Sequence, residues 1–166
     1  MKAPAKQPAK PAAKVDAARR MKSAARLYAV QALFQMEAAG VGADRVSREF
    51  ETHRFGQPMD DVELAEGHVD LFRRIVGEAV THQARIDQMT HRALVEGWPI
   101  DRIDRTLRAL FRAAGAELVA TDTPPRVVIT EYVDVADAFY PGGREKGFVN
   151  AVLDHMAREA KPEAFA

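Results

Sequence analysis

Apolar residues recur at steps of three and four along nearly the whole chain. No other feature restricts the fold as much, because this repeat lines side chains along one face of an α-helix. Leu27, Val30, Leu33, Phe34 and Ala38 carry it first, from about Arg19 until Gly40 and Gly42 stop the run. A short amphipathic stretch follows over Val46 to Phe55, closed by Gly56, Gln57 and Pro58. Asp60, three residues before Glu63, is a variant of the capping box and opens a broad face made of Leu64, Val69, Phe72, Ile75, Val76 and Val80. Ile86, Met89 and Leu94 continue that face after a bend near His82. Gly97 ends one helix and Pro99 suits the start of another, which carries Ile100, Ile103, Leu107, Leu110, Phe111, Ala114 and Leu118. The stretch "RVVIT" is rich in β-branched residues, as strands are. Its continuation decides for a helix beginning at Thr123-Pro124, since Val128, Tyr132, Val135 and Phe139 fall at i, i+4, i+7 and i+11. After "YPGG", Phe148 or Val149, Val152, Leu153 and Met156 form the last helix. The expected fold is all-α, about seven helices in two packed helical subdomains, at about residues 19–96 and 97–160.

The first 18 residues read differently. They are almost entirely Ala, Pro and Lys, with prolines at 4, 8 and 11, and carry too few apolar groups to offset the entropy of ordering. A disordered basic tail over residues 1–18 is expected. The formal net charge of the chain is zero, but residues 1–26 hold eight cations against Asp16 alone, +7, so the remaining residues carry −7. A basic arm on a mildly acidic body can hold a polyanion locally, and it can equally serve as a solubilising tail. There are no cysteines, which removes disulfides, thiolate metal sites and thiol nucleophiles together. No apolar run reaches the roughly 18 residues of a membrane span, and no apolar signal core begins the chain, so a cytoplasmic protein with no membrane partner is expected.

The residues offer little catalytic chemistry. The histidines at 53, 68, 82, 91 and 155 never adopt the i, i+4 spacing with a glutamate that a helical zinc site uses, so no metal and no cofactor is expected. "GGREKG" has glycines and a lysine but lacks the Lys-Ser/Thr ending and the preceding strand of a phosphate loop. Glu131 and Asp134 could form a carboxylate pair, yet no Ser, Cys or His accompanies them, and an exposed helix face explains them better. Nothing requires an enzyme. Aromatic and amide groups beside cations are more suggestive, because binders of single-stranded RNA join backbone-neutralising Lys and Arg to a ring or amide that meets an unstacked base. Phe148 and Asn150, beside Arg144 and Lys146, supply these parts. A phenylalanine in the first turn of a helix is more often packed inside, so physics alone favours a core Phe148.

Four stretches in order carry a resemblance: "RLYAVQALFQME", "IDRIDRTLRALFRAAGAEL" after a tryptophan, "TPPRVVITEYVDVADAF" and "GFVNAVLD". Over about residues 20 to 158 the chain resembles the NusB family of transcription antitermination factors. The resemblance implies an all-helical, two-subdomain protein that binds single-stranded boxA RNA together with NusE, a small-subunit ribosomal protein. It implies that this complex helps the transcription elongation complex read through terminators, notably in ribosomal RNA operons. It assigns RNA binding to the arginine-rich start of the first helix, here Arg19, Arg20, Lys22 and Arg26, and to the start of the last, here Arg144, Lys146, Phe148 and Asn150. These are implied to lie near one another, with Phe148 partly exposed. The family's lysine before that phenylalanine is Gly147 here. Arg112, Glu117, Glu131 and Tyr132 are the corresponding candidates for partner binding. In the sixth helix Thr130 and Asp137 depart from the family's usual asparagine and basic residue.

Two other readings compete. The same helical domain fronts some ribosomal RNA cytosine methyltransferases, but this sequence has no Gly-rich cofactor loop and no cysteine nucleophile. A non-catalytic protein-binding scaffold with a solubilising basic tail is the stronger alternative, because an acidic body suits a basic partner.

Overall fold

The computed structural model describes residues 11–53, 66–95 and 103–166. Seven α-helices hold most of these: α1 (Pro11–Ala39), α2 (Ala43–His53), α3 (Glu66–Thr81), α4 (Gln83–Val95), α5 (Arg105–Ala120), α6 (Pro125–Phe139) and α7 (Glu145–Ala160). A 3-10 turn, Pro162–Phe165, follows. No strand occurs among the described residues, and "RVVIT" lies wholly within α6.

Helix ends follow the residues that suit them. Gly40 and Gly142 adopt φ of +66° and +68°, the left-handed conformation that a residue without a Cβ takes at little cost, and they mark the turns after α1 and before α7. Pro125 sits at the first position of α6. Asp104 caps α5, its Oδ1 accepting from the Leu107 N–H at 2.9 Å. This cap places Ile103 before the helix, where the periodicity counts it inside. The first helix differs more from expectation, since it begins at Pro11 and residues 11–18 are helical rather than a disordered tail. Proline is favoured at a first helical position, where its missing N–H is not needed, and the Ala, Lys and Arg that follow are strong helix formers. Residues 1–10, the Asp60/Glu63 capping box, Gly97, Pro99 and the 96/97 subdomain boundary lie outside the described residues.

α5 is the central helix, with Leu107, Leu110, Phe111 and Leu118 buried among its small residues. A Cβ added at Gly115 would stand 2.4 Å from Ile86 Cγ2, so the glycine is what lets α4 approach α5. α1 runs antiparallel to α5: Arg26 meets Glu117, while Glu37 near the other end of α1 pairs with Arg108 and Arg112. α7 runs parallel to α5, with Phe148 edge-on to Phe111 at 6.0 Å and Lys161 Nζ donating to the Thr121 carbonyl at 2.6 Å. On the other side of the core, Tyr28 meets Phe50 edge-on and Phe50 stacks on Phe72. The described buried side chains form one continuous apolar core, and α6 lies over it between α1 and α7.

Candidate nucleic-acid interface

Two groups of exposed cations stand out, one on each flank of α6. The first is on α1. Residues 15–20 and Lys22 are exposed, because α1 joins the core only from about Ala25 onward. Arg19, Arg20 and Lys22 therefore face water and make no ion pair with a described residue. Lys22 also acts on α3: burial, helped by the charge of Lys22, lowers the pKa of His68, disfavouring a second positive charge near the cation.

Arg26, one turn further along α1, belongs to the interior. It is only 4% exposed, with Nε to Glu117 Oε2 at 2.8 Å, Nη2 to Glu117 Oε1 at 3.0 Å and Nη1 to Glu131 Oε1 at 3.6 Å. Burial works against its charge, but the Glu117 hydrogen bond and the neighbouring carboxylates outweigh burial and raise its pKa. Glu131 also accepts from Ser23 Oγ at 2.8 Å, and Glu117 from Thr123 Oγ1 at 3.3 Å. Tyr132 is wholly buried beside them, and burial with the Glu117 charge pushes its phenol pKa well above the usual value. This cluster ties α1, α5 and α6 together.

The cluster corrects several expectations. Arg26, implied by the resemblance to be an RNA-facing cation, is instead buried and paired with Glu117. Glu117 and Tyr132, candidates for partner binding, are 0% exposed and cannot touch a partner while the fold holds. Glu131 is spent on Arg26 and Ser23. Arg112 is held by both Asp87 oxygens at 3.0 Å and by Glu37 at 3.3 Å, which raises its pKa, the Asp87 hydrogen bond being the main cause. Nothing in the linear pattern distinguished these inward charges from surface ones, since pairing across 91 residues leaves no local signal. Ser23 was missed for the same reason. The residues of α6 that do face out are Arg126, Val127, Thr130, Asp134, Asp137 and Ala138.

The second cationic group is at the start of α7. Arg144, the residue that precedes the helix, and Asn150 are exposed, and Lys146 is exposed beside Asp137 at 4.0 Å. Phe148 is not part of this surface. It is 5% exposed and packs on Phe111, so its expected place on an outer edge is corrected to the core. The first turn of α7 lies against α5, and residue 148 is the position that points inward, where a ring gains most from burial. A Cβ at Gly147 meets nothing within 4 Å, so the missing family lysine leaves open surface.

The two groups do not merge. Ser23 and Arg26 reach α6 at Glu131, whereas Lys146 reaches it at Asp137. Arg19 and Lys22 share a groove with Val127, and from Val127 to Asp137 the helix rises about 15 Å at 1.5 Å per residue. The α1 and α7 groups therefore sit on opposite flanks of α6, toward opposite ends, rather than side by side. Among the described residues there is no cluster of three or more metal-binding side chains and no helix long and apolar enough to cross a membrane.

Comparison with known proteins matches residues 23–158 to the NusB family. The transcription antitermination protein NusB of Maricaulis maris is 46% identical over 147 residues, covering 88% of this chain and 91% of that protein. Among solved structures, NusB of T. maritima shares 27% identity with a TM-score of 0.66, covering 87% of this chain and 96% of that one. A chain from a crystal structure of the antitermination factors NusB and NusE in complex with dsRNA has the same fold. Its TM-score is 0.68 at 23% identity, with 84% of this chain and 98% of that one covered.

Proposed function

The chain belongs to the NusB family of transcription antitermination proteins, and from that premise we propose that it binds single-stranded boxA RNA together with NusE, without catalysis. In this reading it supports read-through by the transcription elongation complex, notably in ribosomal RNA operons. The observation that carries RNA binding is the pair of exposed cationic groups, Arg19, Arg20 and Lys22 on α1 and Arg144 and Lys146 on α7. Exposed guanidinium and ammonium groups on both flanks of one helix, Lys146 among them beside Asp137, can neutralise phosphates along a strand that crosses α6, which gives affinity, while Asn150 can hydrogen-bond a base edge. Glu117 and Tyr132 are buried, so a contact with NusE falls to exposed residues elsewhere on the surface.

A binding titration tests this reading. The chain should prefer a boxA-containing RNA to a scrambled RNA of the same length, and NusE should strengthen the preference. Equal affinity for the two RNAs, with and without NusE, would leave the protein-binding scaffold as the better reading.

A further inference from the structure

Val15 and Val127 are 60% and 43% exposed, two of the most exposed large apolar side chains among the described residues. They line the same groove, of about 490 Å³, between the starts of α1 and α6, with Ala18, Thr123 and Pro124. Single exposed aliphatics are ordinary on a protein surface. Two lining one concavity within the roughly 300–1,000 Å³ of small-ligand sites are not. Arg19 and Lys22 also line it, both without an ion pair to a described residue, and the two other charged residues of the lining, Arg26 and Glu131, pair with each other, Glu131 also accepting from Ser23.

We propose, resting on the RNA-binding reading above, that this groove holds one unstacked nucleobase of the bound strand between Val15 and Val127, with its flanking phosphates on Arg19 and Lys22. An apolar slot with cations at its rim suits a flat apolar face attached to a polyanion. A second concavity, about 440 Å³ beside Phe34 and Phe139, has no charged side chain in its lining, and a third, about 480 Å³ between α2 and α3, pairs Arg73 with Glu51 and has only the buried Val76 as a large apolar wall.

The test measures the affinity of the unmodified chain, of a Val15→Ser/Val127→Ser variant and of Lys22→Gln for boxA RNA. It adds a set of the same RNA with an abasic nucleotide at each position in turn. Both valines are on the surface, and a thermal melt checks that the variant folds as the parent does. The valine variant should bind roughly tenfold more weakly, equivalent to about 1.4 kcal/mol, with an unchanged salt dependence, whereas Lys22→Gln should make the salt dependence shallower. One abasic RNA should weaken binding to the parent yet have no further effect on the valine variant. Undiminished RNA affinity in the valine variant, or a loss confined to NusE binding, overturns the slot. Absence of boxA preference in the unmodified chain overturns the reading beneath it, a result distinct from either of these.

Discussion

Lys22 and Arg26 stand one turn apart on the same helix and look alike in the sequence, yet one faces water and the other is buried against Glu117. The difference lies in α5 and α6, which the local pattern of α1 does not contain. Removing one partner of a buried pair leaves an uncompensated charge, so Arg26→Ala should lower stability by about 3–5 kcal/mol in a denaturant melt. Lys22→Gln should leave the melt unchanged and act only on RNA binding. Phe148 separates core from contact in the same way. Its helical phase allowed either place, and the ring of Phe111 decides for the core. Phe148→Ala should cost about 3–5 kcal/mol in the same melt, whereas a ring on an outer edge would cost little. The apolar positions were legible because burial repeats every turn. The inward charges were not, because each is set by a partner far along the chain.

At the scale of elements, the helices were legible almost throughout, including α6 despite its β-branched start, because i, i+4, i+7 spacing outweighs residue preference. Their ends were less so: α1 begins at Pro11 and α5 at the Asp104 cap, both governed by one residue rather than by the repeat. Contact between helices was not legible at all. Gly115 looks like a flaw in α5 until Ile86 is seen against it. Gly115→Ala should therefore destabilise the protein, by about 1–3 kcal/mol as overpacking does, although alanine by itself favours a helix. Gly147 is the opposite case, with open space where a Cβ would be. Gly147→Lys should leave the melting temperature the same or slightly higher, since glycine costs an exposed helix roughly 0.5–1 kcal/mol relative to alanine. It should also steepen the salt dependence of RNA binding by about 0.7, the contribution of one more phosphate contact on a single strand.

For the whole molecule, the charge asymmetry read from composition becomes a spatial one. The basic start of α1 and the basic start of α7 flank α6, and the acidic residues of α6 lie between them. A strand that uses both flanks must cross that helix, whereas one that uses α1 alone would treat α7 as irrelevant. The salt dependence of boxA affinity separates these directly. If Arg19, Arg20, Lys22, Arg144 and Lys146 each neutralise one phosphate, log K should fall against log salt with a slope of about −3.5. Lys22→Gln and Arg144→Gln should each make the slope shallower by about 0.7, and the double variant by the sum. A slope that Lys22→Gln moves and Arg144→Gln leaves unchanged would contradict an RNA path across both flanks.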